Sequence, residues 1–233
     1  MTSGSRLGLP GGARWLPLLL VPVSLLCGLG ALLPLRTYYF RDFSAAFYPL
    51  RLFLARELRE GRFPTWNPYV FEGAFQLPAL YPADLLHALW PSPVFLSWLL
   101  TLHLPLAALG AYWLCRELGV GREGAFVGGA TYALGGLALS SLNLYVFLQA
   151  LALAPLVAGL LRRASREGGR AVAVAAVALA VALSTLAVEF VGQAILLGVA
   201  LGWVVRPSRA GWTRSLAAAA LGVGLAGLPL ALT

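Results

Sequence analysis

The feature that most constrains this chain is a series of long stretches without charge, separated by short connectors that carry arginine. Residues 15–35, 94–114, 125–161 and 215–232 contain no Asp, Glu, Lys or Arg, and residues 171–205 contain only Glu189. With 60% of its 233 residues hydrophobic, 11% charged and a mean hydropathy of +0.81, the chain has more apolar surface than a water-soluble core of this size can bury. An all-α integral membrane protein is therefore expected, because a helix satisfies its own backbone hydrogen bonds in lipid.

Length divides the stretches into spans. The 21 residues of 15–35 match a bilayer core of about 30 Å at 1.5 Å per residue. The run is longer than the apolar core of a signal peptide, and no small-residue cleavage pattern follows it. The 37 residues of 125–161 would reach about 55 Å as one helix. They are expected to fold as two spans with a turn near Ser140, Ser141 and Asn143. Residues 171–205 form a second hairpin with Glu189 near its turn. The reading is about seven spans, near 15–35, 94–114, 125–141, 144–161, 171–188, 190–205 and 215–232, with one long loop at 36–93. A seventh span ending at the last residues is the expectation for an N-terminal membrane domain, 1–233, of a longer protein.

Charge orients the spans. All 17 basic residues are arginine, and the net charge is +8. They lie in short clusters between apolar runs rather than on one face, so no nucleic-acid partner is expected. The segments before 15 and around 115–124, 162–170 and 206–214 carry 2, 2, 4 and 3 arginines, which places them and the N-terminus on the cytoplasmic side. The 36–93 loop carries six arginines against five acids and is placed outside. Cys27 and Cys115 show neither disulfide nor metal-ligand spacing.

Chemistry is expected in the outer loop. Pro49 suits a first helical turn and Gly61 the position past a helix end, so Pro49–Glu60 is read as a helix with Leu50, Leu54 and Leu58 on one face. It either lies on the membrane surface, with the Arg51 stem on lipid and its head at phosphate, or packs on the rest of the loop. Asp42, just past the first span, can act as a general base on a hydroxyl or hold a divalent cation against a phosphate; it can equally be a solvated residue that caps a turn. Trp66-Asn67-Pro68-Tyr69 reads as a rigid turn whose rings, with Phe71 and Tyr81, either anchor in the headgroup layer or stack on a sugar. Asp84 and His87, three apart on a helix after Pro82, are expected to touch.

The order Arg41-Asp42-Phe43, Phe47-Tyr48-Pro49, Leu58-Arg59-Glu60-Gly61-Arg62, Pro64-x-Trp66-Asn67-Pro68-Tyr69-x-Phe71-x-Gly73 and Tyr81-Pro82-x-x-Leu85-Leu86 resembles the YfhO family of bacterial polytopic membrane proteins, which belongs with the GT-C glycosyltransferases. The resemblance implies a GT-C-like fold in the bacterial cytoplasmic membrane. It also implies transfer of a sugar from a polyprenyl-phosphate donor to an extracytoplasmic cell-envelope acceptor. Asp42 matches the presumed catalytic acid. The substrate-binding candidates are Arg41 and Arg51, read as partners of the donor phosphate, with Trp66, Asn67, Tyr69 and Glu189. Around Glu189 the family often has a Gly and a nearby Pro; here Val188 replaces the Gly and no Pro follows. A divalent cation is the one cofactor this chemistry admits, and membrane lipids are expected partners. The alternative is a non-catalytic membrane protein, a transporter subunit or an assembly factor for surface polysaccharide, or an inactive truncated product that keeps the fold.

Overall fold

The computed structural model describes residues 15–33, 36–39, 42–75, 80–205 and 208–231, and the regular elements among them are helices apart from one two-stranded hairpin. Three helices are long and apolar enough to cross a membrane, Pro93–Glu117, Arg122–Asn143 and Tyr145–Glu167, while the apolar helices Leu16–Leu32, Arg170–Leu183 and Val188–Val204 are shorter. They mark the chain as a helical membrane protein.

In chain order, α1 (Leu16–Leu25) passes through a 3-10 turn into α2 (Leu29–Leu32), and α3 (Tyr48–Arg59) and α4 (Pro82–Leu89) lie in the long loop. Then α5 (Pro93–Thr101) and α6 (His103–Glu117) form one rod with an offset at Leu102. Pro105 explains the offset, since it has no N–H to give the Thr101 carbonyl one turn earlier. Next come α7 (Arg122–Leu134), the short α8 (Gly136–Ser140) and a 3-10 turn at Ser141–Asn143, which divides the 125–161 stretch. They are followed by α9 (Tyr145–Glu167), α10 (Arg170–Leu183), α11 (Val188–Val205) and α12 (Arg209–Ala231).

The central element is α9, which packs on α6, α10, α11 and α12. Its Leu148, Ala150, Val157, Ala158, Leu161 and Ala164 are almost wholly buried. Close approach depends on small residues, as it does where lipid supplies no hydrophobic drive between helices. A Cβ at Gly198 of α11 would stand 2.8 Å from the Ala158 carbonyl oxygen, and one at Gly222 of α12 would stand 2.9 Å from that of Ala176. Pro155 inside α9 leaves the Leu151 carbonyl without its helical donor, and the Tyr132 hydroxyl donates to that oxygen at 2.9 Å.

The two ends of the bundle differ. At one end the arginine-bearing connectors meet: Arg162 Nη1 donates to the Glu117 carbonyl at 2.8 Å, Gly211 approaches Ser165, and Gly168 lies against the Arg214 side chain. At the other end Phe43 of the long loop, Ala138 and Leu142 beside the Ser141 turn, Tyr145 and Phe190 share one apolar cluster with Leu96, Leu100 and Leu104. The long loop is therefore seated on the end away from those connectors.

Candidate functional site

The loop is tied down from its first residues. The Thr37 hydroxyl and the Tyr38 backbone N–H both bond the Ser97 hydroxyl, at 2.8 and 3.1 Å, and the Tyr38 hydroxyl meets Thr101 Oγ1 at 3.0 Å. The chain then turns through Phe43–Phe47, where i to i+5 bonds replace the α-helical ones before α3 begins. Phe43, at 1% exposure, is the anchor of this turn. Asp42 immediately precedes it and is half-buried. Among the described residues neither a hydrogen bond nor an ion pair engages the Asp42 carboxylate. Arg41, expected to serve a phosphate, lies outside the described residues.

Arg51 occupies a different place from the lipid-facing margin expected of it. It is 4% exposed, and its guanidinium makes a two-pronged contact with Asp84, Nε to Oδ1 at 3.1 Å and Nη2 to Oδ2 at 3.3 Å. The Tyr145 hydroxyl donates to the same Oδ1 at 2.7 Å, and its ring lies 4.8 Å beneath Arg51 Cζ. Burial disfavours the Arg51 cation, yet Asp84 and Tyr145 outweigh it and hold the arginine pKa above its ordinary value. This corrects the lipid-facing reading: the buried face of α3 is Arg51, Phe53, Leu54 and Ala55, turned from the Leu50, Leu54 and Leu58 stripe because the carboxylate of α4 draws Arg51 inward. Through this face the helix packs on α4.

Asp84 and His87 face separate partners. His87 Nε2 meets the Ser92 carbonyl at 3.3 Å, its ring stands edge-on to Tyr48, and its buried Nδ1 has no hydrogen-bond partner among the described residues. Burial lowers the His87 pKa, against the pull of the Ser92 carbonyl and Asp84. Nearby, Tyr81 bonds His103 Nε2 at 2.8 Å while His103 Nδ1 meets the Leu99 carbonyl at 2.7 Å. Only Nδ1–H can satisfy a carbonyl, so Nε2 is the acceptor and Tyr81 the donor.

Trp66, Asn67 and Tyr69 belong to a small antiparallel hairpin in which β1 (Trp66–Asn67) pairs with β2 (Ala74–Phe75). The rigid turn expected at 66–69 is its opening, with Asn67 Oδ1 accepting the Tyr69 N–H at 3.0 Å. Gly73, at φ +117°, lets the strand return close under Trp66, where a Cβ would stand 2.5 Å from the indole. Tyr69 and Phe71 are 81% and 93% exposed, and Phe53 meets Tyr69 edge-on at 6.2 Å.

Glu189 is exposed in the first turn of α11, where the helix N-terminus favours a carboxylate. The break between α10 and α11 falls at residues 184–187, just before it. Phe190, its neighbour, packs in the cluster that holds Phe43, so both acids sit at the loop-bearing end. No protein-family model, curated protein or solved structure matches the chain.

Between the start of the long loop and the Ser141–Asn143 turn lies a cavity of about 550 Å³. Tyr38, Tyr39, Leu139, Ser140, Leu142, Asn143 and Leu144 line it. Among the described residues no group of three or more His, Cys, Asp or Glu side chains gathers to hold a metal ion. The sequence reading missed Tyr145 and the Tyr81–His103 pair. The signal for Tyr145 was faint, a lone tyrosine directly after the Ser140–Asn143 turn, at the loop-bearing end of its helix.

Proposed function

We propose that the chain is the membrane domain of a GT-C-type glycosyltransferase resembling the YfhO family, with about seven spans and the 36–93 loop outside. It would move a sugar from a polyprenyl-phosphate donor to a cell-envelope acceptor. The gathering of the 115–124, 162–170 and 208–214 connectors at the end away from the loop supports this orientation, since arginine-rich connectors stay inside.

The observation that carries the catalytic reading is the contrast between the two acids of the loop. Asp84 has its carboxylate oxygens engaged by Arg51 and Tyr145, whereas Asp42 is half-buried, engaged by none of the other described residues, and fixed in place by the buried Phe43 that follows it. A general base needs an accessible carboxylate held in position. In the proposed step the acceptor hydroxyl oxygen bonds to the anomeric carbon and gives its proton to Asp42, as the bond from that carbon to the lipid phosphate oxygen breaks and the phosphate leaves with the electron pair. Of the two arginines read for that phosphate, Arg51 is too deeply committed to Asp84 to serve it, and Arg41 is proposed for the role.

Asp42→Asn tests the reading, assayed in membranes with a labelled polyprenyl-phosphate sugar. The rate is expected to fall by about 10²–10⁴-fold, the usual contribution of a positioned acid or base. An undiminished rate excludes Asp42 from catalysis.

A further inference from the structure

A second concavity lies on the opposite side of α3 from the Arg51 pair. It has a volume of about 600 Å³, between the helix and the 66–75 hairpin, with Ala45, Ala46, Pro49, Leu52, Phe53 and Val70 among its walls. Among the described residues Arg56 is the one charged group that lines it, and no acid does. A groove that is apolar along its length with one cation selects a ligand with an apolar tail and a single anionic head.

Accounting for the arginines of this region singles out Arg56. Arg51 is engaged by Asp84, Arg59 donates to the carbonyls of Ala88 and Leu89 at 3.1 and 2.9 Å, and Arg62 pairs with Glu57 and Glu60. Arg56 is exposed, and among the described residues no hydrogen bond or ion pair engages it. An arginine fork without a carboxylate suits a phosphate, which it can bind through two parallel N–H bonds.

The rim points to lipid as the source of that phosphate. Tyr69 and Phe71 stand almost wholly exposed beside the groove, as rings do that sit in a headgroup layer. Phe71 and Glu72 adopt φ of 48° and 62°, unfavourable for side chains of their size, and this backbone is what turns Phe71 outward. Three of the chain's helices are long and apolar enough to cross a bilayer, and the loop is seated on one end of their bundle.

We infer that the groove between α3 and the 66–75 hairpin binds one anionic glycerophospholipid, its phosphate on Arg56 and an acyl chain against Ala45, Ala46 and Leu52. This site is separate from the Asp42 chemistry and stands whether or not the chain transfers sugars. It would hold the hairpin on the membrane surface and set its height there.

The test is titration of the purified full chain, in detergent, with dioleoyl phosphatidylglycerol, read by native mass spectrometry. Arg56→Gln is expected to raise the half-saturating concentration about tenfold, the loss of one charge-assisted phosphate contact, and Arg56→Lys to raise it less. Ala45→Trp, which fills the groove and keeps the charge, is expected to remove the bound lipid. Arg122→Gln, an equally exposed arginine at the other end of the bundle, is expected to change nothing. Elution profile and melting midpoint confirm that each variant is folded. Binding unchanged within twofold in both Arg56→Gln and Ala45→Trp overturns the inference. So does a site that polyprenyl phosphate saturates and phosphatidylglycerol does not.

Discussion

Asp84→Asn is the most informative single change, because it keeps the shape of the side chain and removes only its charge. In the wild type the Arg51 and Asp84 side chains are 5% and 0% exposed, with 3.1 Å between Nε and Oδ1. At that separation their attraction is about 5 kcal/mol for an effective dielectric of about 20. Desolvation of both ions offsets much of this, so the pair adds little net stability over an apolar isostere. Removing one partner is another matter. Asn leaves the Arg51 cation buried and sets an amide N–H against a guanidinium that can only donate. The expected loss is about 3–5 kcal/mol, the usual result of breaking a buried pair on one side. For a chain of this size that corresponds to a fall of roughly 10 °C in the melting midpoint.

The triple variant Arg51→Met, Asp84→Leu, Tyr145→Phe completes the experiment, since it removes the charges and the hydroxyl that would otherwise be orphaned. It is expected to melt close to wild type or above it. Limited trypsin digestion supplies an independent readout. The loosened loop in Asp84→Asn should be cut at Arg56, Arg59 or Arg62 faster than in wild type, and the triple variant should restore protection. A melting midpoint for Asp84→Asn within about 2 °C of wild type, with unchanged digestion, would refute the view that this ion pair holds the loop to the body.

Two further expectations concern pH and sidedness. Burial lowers the His87 pKa below its ordinary 6.5, so the unfolded chain binds the proton first as pH falls; stability is full above about 6.5 and declines toward the lower folded value. Melting midpoints measured from pH 7.5 down to 5.5 should show this slope in wild type and lose it in His87→Phe. For sidedness, single cysteines at Thr65 and Ser208, in a chain whose Cys27 and Cys115 are replaced, should be labelled by an impermeant reagent from opposite faces of sealed vesicles. Labelling of both from one face would exclude the seven-span arrangement.

What could be read from the sequence was what chain length and local chemistry determine. The turn at Ser141–Asn143 follows from a stretch too long for one crossing and three residues suited to turning. The bounds of α3, Tyr48–Arg59, lie one residue from those implied by Pro49 and Gly61. The rotation of that helix was not legible, because its stripe was read from leucines alone. Asp84 lies 33 residues from Arg51, and Tyr145 a further 61 from Asp84, so the pull on Arg51 comes from partners that no periodicity within the helix records. For the same reason Asp84 and His87 looked like a local pair, while each in fact reaches a more distant group. Asp42 could be singled out by its place in a motif, but that no other described residue engages its carboxylate is a property of the folded loop.

The Arg51 pair bears on both proposals because of where it sits on α3. The Phe43–Phe47 turn, which fixes Asp42, runs directly into the N-terminus of the helix, and Arg56 lies little more than one turn beyond Arg51. Held at Arg51 by a contact that fixes direction as well as distance, the helix can neither roll nor slide without breaking two charged hydrogen bonds. The acid at one end and the phosphate-seeking arginine at the other are thereby kept at fixed positions. A hydrophobic anchor such as Leu54 resists withdrawal but tolerates rotation, and rotation is what would carry Arg56 out of its groove. The buried ion pair therefore sets the orientation of α3, which a purely apolar contact at the same place would leave free to turn.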